Sequence, residues 1–200
     1  MTVTGLVAAC RGADDGSMDD TQDSIAAVTA RREHRAQPAT APADADAAYA
    51  VQARVAEALR WFDGPPRHWK SGGPSRQAMQ THAPLPPAGV WASPADARGW
   101  PWHARGIEAE VALQLGEPVD ARRAASLDLD AARALVDAMA VAIEVVDSRW
   151  AEALDAPPLA KLADLQSHGA LELGDWVASD AARDCQTQPC EVQIGALPPR

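Results

Sequence analysis

Gly106-Ile107-Glu108-Ala109-Glu110-Val111-Ala112-Leu113-Gln114-Leu115-Gly116 is the stretch around which the rest of the chain is organised. Glycines bound it, and apolar Ala109, Val111, Leu113 and Leu115 alternate with Glu108, Glu110, Ala112 and Gln114. A period of two is the pattern of a strand with one buried, apolar face. That parity puts both carboxylates on the same side, where they repel unless water, a cation or a basic partner stands between them. A hard divalent cation is the favoured reading. A solvated strand face is the alternative that this stretch leaves open.

Working outward, 200 residues with 47% hydrophobic content are enough for one substantial core. A formal net charge of -10 repels nucleic-acid backbones and anionic membranes, so neither is expected as a partner. A small anionic substrate would need local help from a metal or a lysine. Seven tryptophans stand against one Tyr and one Phe, so indoles must supply most of the bulky packing. Cys10, Cys185 and Cys190 make no disulfide framework, and the odd count suits a reducing cytoplasm. No apolar run approaches the roughly 18 residues of a membrane span.

Residues 1–22 are small, polar and acidic, and are expected to be disordered, with translation starting at Met18 as an alternative. A helical region is expected over 23–62. Its first helix covers about 23–37, acidic at the start and basic at Arg31, Arg32 and Arg35, and its second runs from Asp44 to Arg60. After the breaker Asp63-Gly64-Pro65-Pro66, Lys70 stands beside Gly72-Gly73, where a partly apolar, glycine-rimmed pocket would suit a general base and where a solvated surface lysine is the plainer reading. Residues 80–105 carry proline, alanine and tryptophan without a period, which favours an irregular lid or pocket wall. Asp128 or Asp130 is expected to cap a helix carrying Ala131, Leu135, Val136 and Met139. In Ile143-Glu144-Val145-Val146-Asp147-Ser148-Arg149, a carboxylate among β-branched residues is costly to bury without a partner. Glu144 and Asp147 fall on opposite strand faces, so one can join a site while the other pairs with Arg149; metal ligation and a buried salt bridge both remain open. His168 reads equally as a loop residue or a pocket donor, and 190–195 alternates like a final strand.

Trp69-Lys70-Ser71-Gly72, Ile107-Glu108-Ala109-Glu110-Val111-Ala112, Ile143-Glu144-Val145-Val146-Asp147-Ser148-Arg149 and Ala163-Asp164-Leu165-Gln166-Ser167 follow one another in an order that resembles the fumarylacetoacetate hydrolase superfamily. The branch it is most similar to is that of the 2-keto-4-pentenoate hydratases and 4-oxalocrotonate decarboxylases. The resemblance implies an α+β fold: a mixed β-sheet or β-roll core with N-terminal helices. Residues 63–200 would form the catalytic domain, without the family's C-terminal strands. It implies Mg²⁺ or Mn²⁺ held by Glu108, Glu110 and Glu144, with Asp147 in reserve as third ligand. Oxygen donors suit such hard cations. Lys70 matches the family's proton-transferring lysine, and Ser167 matches a serine near the substrate.

The implied activity is a lyase of aromatic compound catabolism, a hydratase adding water to a small 2-oxo-enoic acid such as 2-hydroxypenta-2,4-dienoate, in a cytoplasmic homo-oligomer. The alternatives are an acylpyruvate-type C–C hydrolase, a 2-oxo acid decarboxylase or an inactive truncated fragment. Two departures bear on the pocket: Gly89-Val90-Trp91 replaces the family's acidic turn, and Asp164-Leu165 stands where the family has Asp-Asn.

Overall fold

In chain order, the elements are β1 (Thr2–Leu6), α1 (Met18–Glu33), α2 (Ala45–Leu59), β2 (His68–Gly72), β3 (Thr81–Pro84), β4 (Val90–Ala92), β5 (Gly106–Val119), α3 (Ala121–Ala124), α4 (Leu129–Ala134), β6 (Val136–Val146), α5 (Pro158–Ala163), β7 (His168–Leu173) and β8 (Val177–Ala178). The structure, a computed structural model, describes residues 2–6, 18–73, 75, 77–78, 80–180 and 189–198. Among the described residues the strands form one mixed, eight-stranded sheet in the order β3-β2-β1-β5-β6-β7-β4, and β8 pairs with β6 off that path. β1–β5 and β4–β7 are parallel, and the other pairs are antiparallel. This is the α+β class with a mixed sheet and N-terminal helices that the resemblance implied.

α2 shows why the helical layer forms where it does. Asp44 accepts the Ala47 N–H at 2.8 Å as an N-cap, and Arg60 ends the helix in the left-handed conformation with its N–H on the Ala56 and Glu57 carbonyls. Between the caps, Ala48, Val51, Gln52 and Val55 fall on one face and are buried. They pack with Ala27 of α1, Trp150, and Ala160, Leu162 and Ala163 of α5. Alanine makes up much of this cluster, so the layers approach closely. Trp150 fills the remaining bulk and donates its indole N–H to the Ala160 carbonyl at 2.9 Å.

Several expectations are corrected. Within the N-terminal segment, Thr2–Leu6 pairs as a strand between β2 and β5, α1 begins at Met18 rather than Asp23, and residues 7–17 lie outside the described residues. The helix capped by Asp128 stops at Ala134, because Val136 and Met139 join the long strand β6 opposite β5. Residues 80–105 are not wholly irregular, since β3 and β4 lie within them. The described residues after 189 contain no strand. Cys10 and Cys185 lie outside the described residues, and Cys190 is a free, exposed thiol.

The largest correction concerns the faces of β5. Register partners Glu108↔Glu144, Glu110↔Ala142 and Ala112↔Ala140 put the acidic face on the inner side of the sheet, where Ala112, Ala140 and Ala142 are buried with Leu85 and Leu171. The apolar alternates lie outside: Ile107 is 50% exposed, Val141 71% and Ile143 38%. Small inner residues leave room for charged side chains to enter the concave side. Bulky ones would have filled that space.

Candidate active site

β5 and β6 bring three carboxylates to one point. One oxygen from each of Glu108, Glu110 and Glu144 lies within 4.8 Å of the other two. Glu108 and Glu144 face each other directly across the pair, and Glu110 follows one pleat repeat along. Glu144 is 1% exposed, whereas Glu108 is open to solvent.

Lys70 reaches this cluster from β2. Along the sheet, β1 and β5 stand between β2 and β6, and strand spacings of about 4.8 Å put β2 further from β6 than a lysine stem extends across a flat surface. Even so, Lys70 Nζ donates to Glu144 Oε1 and Oε2, both at 2.7 Å, so the sheet curls and Lys70 crosses its hollow. Nζ also donates to the Gln166 carbonyl at 3.2 Å. His168, the first residue of β7, places Nδ1 2.9 Å from Glu144 Oε1 and is itself buried. Burial opposes ionisation of Glu144, but the His168 hydrogen bond and the Lys70 charge outweigh it and hold the carboxyl below its ordinary range. Burial pushes His168 down in turn, against the pull of Glu144.

Ser167 sits beside this group on an unusual turn. Leu165, Gln166 and Ser167 have φ values of 56°, 55° and 60°, three consecutive non-glycine residues in the left-handed region. Each costs about 1–3 kcal/mol, which the surroundings must offset. Anchors stand at both ends: Ser167 N–H donates to the Asp164 carbonyl, and Asp147 N–H donates to the Ser167 carbonyl at 2.8 Å. Gln166 Nε2 bonds Thr81 Oγ1. Ser167 Oγ and Gln166 Oε1 are buried without a protein partner. Both residues line a cleft of about 540 Å³ with Gly72, Gly106, Glu108 and Lys161.

Asp147, the reserve ligand, is directed elsewhere. Its Oδ1 accepts the N–H groups of His103 and Ala104 at 3.1 and 2.6 Å, and it lines a different cavity. Nor is it the main partner of Arg149, whose Nη1 lies 3.6 Å from it. Arg149 instead grips Asp164, through Nε at 2.7 Å to Oδ1 and Nη2 at 2.7 Å to Oδ2. Arg31 shares the same carboxylate at 2.9 Å. Burial and the neighbouring Arg149 guanidinium lower Arg31 to about 9.

The structure thus brings Glu108, Glu110, Glu144 and Lys70 into one group, with Ser167 on the adjoining cleft wall. Sequence reasoning left His168 open and passed over Gln166 and the Arg31–Asp164–Arg149 network. Asp164 is fully buried and so requires cationic partners, but nothing in the sequence pointed to its burial or to a helix 133 residues away.

The architecture is shared with two solved structures of 4-oxalocrotonate decarboxylase from Pseudomonas putida G7. The first, complexed with magnesium and adipate, superposes with a TM-score of 0.63 at 17% identity, over 80% of this chain and 65% of that one. The second, complexed with calcium and acetate, gives 0.59 at 17% identity, over 80% and 64%. The chain therefore spans about 65% of the length of the structures it matches. No family model matches the chain, and no curated protein sequence matches it. Among the described residues no helix is long and apolar enough to cross a membrane.

Proposed function

We propose that this chain is a divalent-metal-dependent lyase acting on a small 2-oxo acid, in the first instance a hydratase of a 2-oxo-enoic acid such as 2-hydroxypenta-2,4-dienoate. The observation that carries the reading is the convergence of Glu108, Glu110 and Glu144 oxygens within 4.8 Å beside the Lys70 ammonium. An all-oxygen donor set fits Mg²⁺ or Mn²⁺. A cation held by these three side chains would supply a Lewis acid for the 2-oxo group.

Lys70 Nζ, bridging Glu144 and the cleft-lining Gln166, is placed to carry the proton in enol–keto tautomerisation. Ser167 Oγ and Gln166 Oε1, buried on the cleft wall without protein partners, are available to the substrate's polar atoms. Val146 and Leu162 give the same cleft an apolar wall for the remainder of the acid.

Decarboxylation of a 2-oxo acid on the same residues is the second reading, favoured by the fold shared with 4-oxalocrotonate decarboxylase. Calorimetric titration with Mg²⁺ and Mn²⁺, set beside a Glu108→Ala/Glu110→Ala double variant, tests the metal. Disappearance of the dienoate by water addition, set against CO₂ release from a 2-oxo diacid such as 4-oxalocrotonate, separates the two reactions. If the wild type binds neither ion more tightly than the double variant, the proposal fails.

A further inference from the structure

Lys70 occupies Glu144 as a cation would. Nζ lies 2.7 Å from both carboxylate oxygens, a bidentate arrangement, and the two side chains are 10% and 1% exposed. Glu144 Oε1 also accepts from His168 Nδ1 at 2.9 Å, so that oxygen already carries two contacts. A divalent cation bonded to Glu144 would stand against an ammonium in contact with the same two oxygens, with little water between to screen them. Lys70 has another acceptor within reach in the Gln166 carbonyl, 3.2 Å away on a residue that lines the cleft.

We propose that the Lys70 ammonium is the resident counter-ion of the metal-free carboxylate cluster, and that the Lys70–Glu144 bond and a bound divalent cation exclude one another. Glu144 exchanges one partner for the other. Loading the site turns Lys70 towards Gln166 and the cleft, so the amine is delivered to the substrate side only when the metal is in place. This inference rests on the metal reading above and adds a competition that the reading does not require.

The test is calorimetric titration of Mg²⁺ into the full chain and its Lys70→Met and Lys70→Arg variants, with thermal melts before and after loading. Lys70→Met is expected to bind Mg²⁺ at least about ten-fold more tightly than the wild type. Lys70→Arg, which keeps the charge, is expected to stay near the wild type. Metal-free Lys70→Met is expected to melt below the wild type, and Mg²⁺ is expected to narrow that gap. Equal or weaker Mg²⁺ binding by Lys70→Met overturns the exchange while leaving the metal reading standing. Absence of Mg²⁺ binding in the wild type overturns both. Should Lys70→Met not fold, acylation of Lys70 in the wild type, read by peptide mass, decides the matter: Mg²⁺ must raise the labelling rate, and an unchanged or lower rate overturns the proposal.

Discussion

Glu108 of β5 and Glu144 of β6 are direct register partners, two carboxylates facing each other across one antiparallel pair. Like charges so placed destabilise a sheet by roughly 0.2–1 kcal/mol, a cost that stability alone would not retain. Glu108→Gln keeps the shape and removes the repulsion. The metal-free variant is expected to melt slightly above the wild type, while its Mg²⁺ affinity falls at least about ten-fold. Melting and calorimetry on the same samples check both signs. A lower melting point with unchanged affinity would mean that the facing carboxylates serve the fold and not a cation.

Ser167 gives a contrasting case, because its hydroxyl is buried without a protein partner on a turn that is costly to form. No protein hydrogen bond is lost in Ser167→Ala, so the melting point is expected to move little. A lost contact to a bound acid is worth about 1 kcal/mol, or roughly five-fold in KM, with kcat held within a factor of about two. Steady-state kinetics with the loaded protein check this. An unaltered KM removes Ser167 from the substrate contacts.

How much of this was legible depends on what kind of signal each part leaves. Asp44 and Arg60 bracket α2 in the sequence as they do in the fold, since capping and helical spacing are local. The period of two identified β5 and put Glu108 and Glu110 on one side. It misled on which side is inner. Ala112, Ala140 and Ala142 are too small to announce burial, and the bulkier Ile107, Val141 and Ile143 are the exposed ones. The strand character of Val136 to Met139 was masked by residues that suit a helix equally well, and the long pairing with β5 settles it. Least visible were contacts between remote segments. Lys70 and Glu144 are 74 residues apart, and only the curl of the sheet brings them together. His168 became a site residue through a register shift between Val145 and Val146, which no periodicity reports.

The Arg31–Asp164–Arg149 group is a support for the site and contributes no contact to the cleft. Asp164 is fully buried, binds both guanidiniums, and offers its carbonyl to Ser167 N–H. Asp164→Asn would leave the buried Arg149 and half-buried Arg31 guanidiniums facing a neutral amide. The expected loss is about 3–5 kcal/mol of unfolding free energy, measured by urea denaturation. An Arg31→Met exchange in the same background should recover part of it, because one of the two stranded charges is gone. A loss below about 1 kcal/mol would place these charges in solvent contact instead of in the core.

Acid sensitivity follows from the histidines. Burial lowers His168 most directly, with Glu144 pulling the other way; it lowers His82 alone, and His68 together with the Arg67 charge. A group whose folded pKa is depressed gains more protons in the unfolded chain, so its contribution is complete above the ordinary histidine value of about 6.5 and is lost as pH falls. Glu144, also depressed, adds a second loss below its ordinary 4.5. Self-repulsion in a chain of net charge -10 works in the opposite sense, since acid relieves it and would raise stability. The buried groups are expected to win: the melting point of the metal-free protein should be level from about pH 8 to 7 and fall between about pH 6.5 and 5. His168→Gln, which keeps a donor for Glu144, should show a shallower fall over that range. A melting point that holds or rises on acidification would show that these imidazoles titrate in water and that His168 does not lie against Glu144.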